Sequence, residues 1–423
     1  MKNSARNAVI FVLLTAALLG ILVCSALIPR EAIRKQMTSS ADYLCETEQF
    51  KNTLDDIYGS KVDHYADAVL LNIAWHFDAE NPLKSVLRSD FYMDTDDESD
   101  GPHWLAKTLA EDLPANTQYL RYWHGSIAIV RPLMTVLTLP QIYVLHGIVL
   151  ALLAGGLLVR LILRKAYVPA AGILIGMIGT ACWFVPSSLE FTWVFLILFV
   201  QLNLVLMKSF PKDWGKRGTF FLISGMVTNY LDFLSCETLT LLMPLLLLLW
   251  LERKEGKPSW KQLGKAALLW LIGYGGMYLA KWGISSLVLG ENVWPYVSSY
   301  LTDRVAGPVS STDYVGEFFG ALLRNIAVLF PLEYGTFGIV IWVALLVAAG
   351  YFGYVHHRKG FDRTLVLMYT VIGVVPLVRF LALINHSFRH YFFTYRAMLT
   401  TLTAIVLIVA ELTGWGQQEH GKT

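Results

Sequence analysis

Residues 8–28, AVIFVLLTAALLGILVCSALI, carry no charged side chain over 21 consecutive positions. In hydrocarbon every backbone N–H and C=O has to be paired within the segment itself, which leaves a helix as the one open solution for a single apolar run. About 20 such residues cross a bilayer. Nine more runs answer the same description, near 141–163, 168–186, 189–207, 218–233, 238–251, 266–289, 336–355, 364–384 and 393–412. The expected fold is an all-α, polytopic membrane helix bundle of about ten transmembrane helices. Composition agrees: 16% of the 423 residues are charged, against roughly 25% in soluble domains.

Lysine and arginine gather in four short loops, LRKAY (163–167), KSFPKDWGKR (208–217), LERKEGKPSWKQLGK (251–265) and HHRKGFDR (356–363). Basic loops stay on the cytoplasmic side, so these loops, and with an even number of spans both termini, are expected there. The whole of 1–423 then reads as a single membrane domain. Helix 8–28 opens it, 29–125 forms a large extracytoplasmic loop with interfacial helices, 126–412 completes the bundle, and 413–423 is a cytoplasmic tail. The large loop holds nine basic and eighteen acidic residues, an acidic face opposing the basic one. A second outward stretch, Glu291 to Glu333, contains VGEFFGALLRNIAVLF, the pattern of helices lying along a membrane surface. Lys2 and Arg6 ahead of the first run and CSA at 24–26 also resemble a secretory signal; the many spans that follow favour an uncleaved anchor.

Several function classes drop out. Cys24, Cys45, Cys182 and Cys236 make no C-x-x-C pair and read as free thiols. The acidic run FYMDTDDESDG (91–101) lacks the spacing of a calcium loop and reads as solvated. There is no Gly-rich phosphate loop and no nucleic-acid module, so neither a nucleotide fold nor a nucleic-acid partner is expected. No metal motif is present; the cofactor stays unassigned, with a divalent cation left open.

Ionisable groups near membrane depth are costly and mark function by default. In KVDHYADAVLLNIAWH (61–76), Asp63 and Asp67 stand four residues apart on one face of a helix whose other positions are apolar. The expected placement is along the membrane with both carboxylates facing a cleft; the plainer alternative is Asp63 as helix cap and Asp67 solvated. RYWHGSIAIVRPL (121–133) brings Arg121, His124 and Arg131 to an aromatic interface, an ordinary anchor pattern that also suits an anion. TNYLDFLSCET (228–238) sets Asp232 and Glu237 at a hairpin tip. Lys281 lies near the end of its run and could snorkel to the interface, whereas Arg379, deep in VPLVRFLALIN, needs a carboxylate or a phosphate as partner. In NHSFRHYFFTYR (385–396), a continuous helix would align His386, Arg389, His390, Phe393 and Arg396 on one cationic, aromatic face suited to phosphate oxygens.

Carboxylates and a ring of cations on one side of a membrane match glycosyl transfer from a sugar carried on a polyprenyl phosphate. Asp63, Asp67 or Asp232 would take the acceptor's proton, and Lys281, Arg379, His386, Arg389, His390, Arg396, Arg121 and His124, with Glu237 beside them, would hold the departing phosphate and the substrate.

The motifs KVDHYADAVLLNIA, RYWHG with RPL, NYLDFLS, LAKWG and NHSFRHYFFTYR, on an architecture of first span, long first outer loop and many further spans, resemble the GT-C superfamily of membrane glycosyltransferases and a group of bacterial multi-span proteins related to it. The resemblance covers most of the chain. It implies a bacterial cell-membrane location, membrane lipid and a polyprenyl-phosphate-linked sugar as partners, a glycan or lipid acceptor, and Asp63, then Asp67, as the acidic residue of the first loop. Two departures stand against it: Asp63 lies more than thirty residues past the first span, and no large C-terminal domain follows the last one. A transporter or flippase of an anionic lipid-linked precursor would use the same cations, though it favours a midplane site. A histidine-dependent acyltransferase leaves the aspartates unexplained, and a scaffold would need none of these groups.

Overall fold

A computed structural model describes residues 2–95, 100–254, 256–306, 314–331 and 335–415. Part of the acidic run 91–101, Glu333 and most of the tail 413–423 lie outside the described residues. The described chain is all-helical, without a β-strand; its two isolated bridges are Asn52 with Lys61 and Phe91 with Thr117.

The first apolar run is α1 (Lys2–Ala26). Five shorter helices follow before the next long one: α2 (Arg30–Glu46), α3 (His64–His76), α4 (Pro82–Arg88), α5 (Gly101–Glu111) and α6 (Ile127–Leu133). The bundle continues with α7 (Leu139–Leu163), α8 (Tyr167–Gly179), α9 (Leu189–Val205), α10 (Trp214–Leu231), α11 (Leu239–Glu252) and α12 (Trp260–Leu289). Beyond them come α13 (Trp294–Ala306), α14 (Tyr314–Ala327), α15 (Thr336–Val355), α16 (Arg363–Ala382), α17 (Ile384–Arg389), α18 (Tyr391–Thr394) and α19 (Leu399–Thr413).

Six segments among the described residues are long and apolar enough to cross a membrane: Asn3–Ala26, Leu139–Leu163, Trp260–Leu289, Phe337–Val355, Arg363–Ala382 and Tyr391–Thr413. The protein is a multi-pass membrane protein. The other four expected spans coincide with α8, α9, α10 and α11, which have 13, 17, 18 and 14 residues. At 1.5 Å per residue, α8 rises only about 20 Å, short of a hydrocarbon core of about 30 Å. The run at 168–186 is not one helix: Ala181 takes a left-handed conformation (φ 47°) and Cys182–Ser187 turns as a 3-10 helix. All four cysteines are free thiols.

Small residues let the long helices approach. A Cβ on Gly225 of α10 would stand 2.2 Å from the carbonyl oxygen of Trp270 on α12, so only glycine admits this crossing, the usual device where helices pack by van der Waals contact.

The segment before α7 departs from expectation in placement. Eleven of the 13 residues of α3 are buried, among them Leu70, Leu71, Ile73 and Trp75. A helix apolar on every face belongs inside a core, and α3 packs against α2, α5, α6 and α9 instead of lying along a membrane surface. Its end carbonyls at Ala74 and, at 3.5 Å, Phe77 accept from the Arg131 guanidinium, which also donates to the Ile28 carbonyl just after α1 at 2.6 Å. A cation there satisfies orphan acceptors and the negative end of the helix dipole.

Candidate functional site

Asp63 is the N-cap of α3: its Oδ1 accepts from the Ala66 amide at 2.9 Å. One turn on, Asp67 is fully buried; its Oδ1 accepts from Ser188 Oγ at 3.1 Å and the Leu189 amide at 2.9 Å, and its Oδ2 accepts from the Tyr143 hydroxyl. Asp67 therefore ties α3 to α7 and to the start of α9. The capping half of the plainer reading describes Asp63, while Asp67 is the reverse of solvated. Burial pushes the Asp63 carboxyl up to about 6 and the Asp67 carboxyl up to about 8, against hydrogen bonds that pull both down.

These two carboxyls line a cavity of about 310 Å3, at the lower end of the size of small-ligand sites. The same cavity is lined by Arg121 and His124 from the coil before α6, His386 of α17, and His390 with Phe393 beyond it. Tyr65, Phe91, Tyr119, Tyr122, Phe233, Tyr296 and Tyr300 supply aromatic walls. One further carboxyl completes the lining, Glu190 in the first turn of α9.

The RYWHG stretch builds one side. The Arg121 guanidinium donates to the Tyr119 hydroxyl at 2.7 Å and lies 4.3 Å from the ring centres of both Tyr119 and Tyr300. It has no carboxylate within ion-pair distance among the described residues. His124 holds a positive φ of 52°, a strained conformation for a residue with a Cβ and one that clusters at functional sites. Its ring sits 4.6 Å from Tyr119 and 5.4 Å from Phe233. Burial and the Lys281 charge keep it well below the usual imidazole range, so it is neutral at pH 7. Its Nε2 lies 3.3 Å from the Tyr119 carbonyl and so carries the proton, while Nδ1 is buried without a partner.

NHSFRHYFFTYR does not form one continuous helix. It breaks into α17, α18 and a 3-10 turn at Tyr395–Met398, and the break dismantles the single cationic face. His386 and His390, 4.8 Å apart ring to ring, stay on the cavity with Phe393. Arg389 is exposed and does not line the cavity. Arg396, fully buried, donates to the Gly59 carbonyl at 3.1 Å and lies over the Phe191 ring at 4.8 Å, pinning the 58–60 turn to the bundle.

Other expected phosphate ligands are likewise used by the fold. Lys281 donates to the Val86 and Leu87 carbonyls at 3.2 and 2.7 Å, so it neither snorkels nor reaches the cavity; it holds the C-terminal end of α4. Arg379 meets the carboxylate its depth required: Nε to Glu237 Oε1 at 3.1 Å and Nη2 to Oε2 at 3.0 Å, with the Leu234 carbonyl at 2.8 Å. Asp232 accepts from the Leu234 and Ser235 amides at 2.9 and 3.2 Å and from the Ser235 hydroxyl, fastening the turn between α10 and α11. His386 Nε2, 2.8 Å from the Leu234 carbonyl, docks α17 on that turn. None of Lys281, Arg379, Asp232, Glu237, Arg389 or Arg396 lines the cavity.

The sequence reading passed over Glu190. The signal was available: Glu190 is the only charged residue between Lys165 and Lys208. An acidic residue in a first helical turn is usually a dipole partner, which hides it. Among the described residues no group of three or more His, Cys, Asp or Glu is placed to hold a metal ion. No protein-family model, no curated protein and no solved structure matches the chain.

Proposed function

We propose that the protein is a GT-C-like membrane glycosyltransferase that moves a sugar from a polyprenyl phosphate to a hydroxyl of a cell-envelope glycan, lipid or polymer. The observation that carries the reading is the shared cavity: Asp63, more than three hundred residues from His386 and His390, lines one space with them, together with tyrosine and phenylalanine side chains. The oxygen of the acceptor hydroxyl attacks the anomeric carbon as its proton passes to Asp63. The bond from that carbon to the phosphate oxygen breaks, and its electron pair leaves with the lipid phosphate. Arg121, His386 and His390 hold the phosphate as charge develops on it, and the aromatic walls stack on the sugar ring. In this reading the ten helices that match the expected spans all cross the membrane, the termini are cytoplasmic, and the cavity opens to the outside of a bacterial cell membrane.

The test is transfer in proteoliposomes. Radiolabelled polyprenyl-phosphate sugar is supplied on one face, and label reaching an acceptor is compared between wild type and Asp63→Asn. Transfer by wild type that falls at least a hundredfold in Asp63→Asn supports the reading, in line with the size of a general-base effect. Label that crosses the bilayer still attached to its lipid refutes it in favour of a flippase.

A further inference from the structure

We infer that a second cavity, at the other end of the bundle from the first, binds one anionic phospholipid with a hydroxyl-bearing headgroup: Lys165 holds the phosphate and His356 accepts from the headgroup hydroxyl. The chemistry of this site does not depend on the glycosyl-transfer reading. The cavity has a volume of about 760 Å3, within the range of small-ligand sites. The segment Tyr391–Thr413, long enough to cross a membrane, has Phe393 on the first cavity and Val409 and Thr413 on this one. The two sites therefore stand toward opposite membrane faces. Three of the four basic loops border the second cavity: Lys165 and Tyr167 come from LRKAY, Trp250 from the turn of α11 that runs into LERKEG, and His356 opens HHRKGFDR. Among the described residues no carboxylate lines it. Basic pockets on the cytoplasmic side of helix bundles take anionic lipid headgroups, and rings such as those of Tyr167, Trp250 and Trp415 suit the level of those headgroups.

Two exposed side chains on this cavity are left incomplete by the fold. Lys165 has no ion pair and no side-chain hydrogen bond among the described residues, whereas Arg358, in the loop that follows α15, donates to Glu411 at 2.7 Å. The Lys165 backbone is left-handed, with φ at 55°. Its amide donates to the Ile162 carbonyl and the Ala166 amide to the Leu161 carbonyl, both at 2.8 Å. That is the helix-ending motif in which glycine is the usual residue; a lysine there carries a local backbone cost, which a use for its charge explains. His356 supplies an acceptor. Its Nδ1 lies 3.1 Å from the Phe352 carbonyl, and a carbonyl only accepts, so Nδ1 carries the proton and Nε2 of the neutral imidazole is an acceptor. Nε2 has no partner among the described residues. A phosphoglycerol headgroup satisfies both groups: its phosphate oxygens meet the Lys165 ammonium, and its hydroxyl donates to His356 Nε2. The acyl chains then cover apolar side chains left exposed at this end, Ile162 and Leu163 of α7 and Phe352 and Val355 of α15.

The experiment is native mass spectrometry of the full-length protein released from micelles that contain equal amounts of phosphatidylglycerol, phosphatidylmethanol and phosphatidylcholine with the same acyl chains. The first two carry the same charge, and only phosphatidylglycerol has the hydroxyl. Wild type is expected to retain one phosphatidylglycerol, over phosphatidylmethanol by about two- to tenfold, the size of one hydrogen bond, and both over phosphatidylcholine by about fivefold, the size of one interfacial lysine. Lys165→Gly abolishes the preference of both anionic lipids over phosphatidylcholine. Glycine suits the left-handed backbone, so this variant unfolds no earlier on heating than wild type in lipid-free detergent, which separates lost binding from lost folding. His356→Phe keeps a ring beside Phe352 and loses only the preference for phosphatidylglycerol over phosphatidylmethanol. Lys359→Gln, an exposed neutralisation in the same loop as His356 but off the cavity, leaves the ratios as in wild type. Equal retention of the three lipids by wild type overturns the site. An equal fall in Lys165→Gly and Lys359→Gln overturns it in favour of a general attraction of anionic lipid to basic loops. Equal retention of phosphatidylglycerol and phosphatidylmethanol by wild type overturns the part given to His356.

Discussion

Replacing Glu237 with glutamine tests the claim that Arg379 is a structural cation and no part of a phosphate site. Both side chains are nearly buried, 6% and 7% exposed, so water gives their charges little relief. Removing one partner of a buried pair costs about 3–5 kcal/mol, because the other charge is left uncompensated. Arg379→Ala should cost as much or more. It also removes one of the two groups bonded to the Leu234 carbonyl, the other being the His386 ring. That carbonyl docks His386 too, so losing Arg379 loosens one wall of the cavity. Replacing both partners with methionine should return most of the loss, since an apolar pair of similar volume is often neutral. Unfolding by sodium dodecyl sulfate in mixed micelles measures each protein, and Glu237→Met and Arg379→Met made singly complete the cycle with the double methionine variant, which isolates the pair term. Single variants that lose less than about 1 kcal/mol, or a cycle with no coupling, would refute the argument and return Arg379 to the list of candidate phosphate ligands.

Lys281→Met should destabilise by about 1–3 kcal/mol, through the Val86 and Leu87 carbonyls left without a donor, and should leave the affinity for a short-chain prenyl phosphate within about twofold; a large loss of affinity would place Lys281 in the site after all. The Asp67 carboxyl, held up to about 8 from an ordinary 3.8, binds its proton more tightly folded than unfolded. Its contribution is therefore fully present below about pH 4 and lost as pH rises toward 8. Asp67→Asn should flatten that part of the stability profile, and an unchanged slope in the same unfolding assay would show that the group is not protonated. Transfer activity should rise with pH through about 6 as Asp63 ionises; an acid limb near pH 4 would contradict a buried base. Gly225→Leu should separate α10 from α12, because the Trp270 carbonyl lies where the side chain would begin, and a monodisperse, folded variant by size-exclusion chromatography would disprove that close crossing.

The helices were legible because the constraint on them is local. A run such as 8–28 has to satisfy its backbone within itself, and no distant residue changes that. Placement was less legible. KVDHYADAVLLNIAWH was expected on a membrane surface because Asp63 and Asp67 looked like a polar face, but Asp67 is buried and satisfied by Tyr143, Ser188 and Leu189, and those partners stand 76 to 122 residues away. Once a polar residue has internal partners, the period of polar positions along a helix no longer reports which face meets solvent. The helical pattern of NHSFRHYFFTYR failed for a related reason. His386 and Arg396 are held by carbonyls from two distant parts of the chain, Leu234 and Gly59, and the helix breaks between them.

The candidate cations divide by what the fold asks of them. A helix that ends inside a membrane protein leaves carbonyls with no water to solvate them, and a buried turn does the same. Arg131 at the end of α3, Lys281 at the end of α4, Arg379 at the 234–235 turn and Arg396 at Gly59 each answer such a need. Their carbonyl partners come from any residue type, so nothing in the sequence marks them. Arg121 differs: it lines the cavity, its guanidinium is bounded by tyrosine rings, and among the described residues no carboxylate pairs with it. A permanent charge in that setting is costly unless a ligand completes it. Arg121, which the fold leaves incomplete, is therefore the group through which a ligand contributes most to the stability of the site.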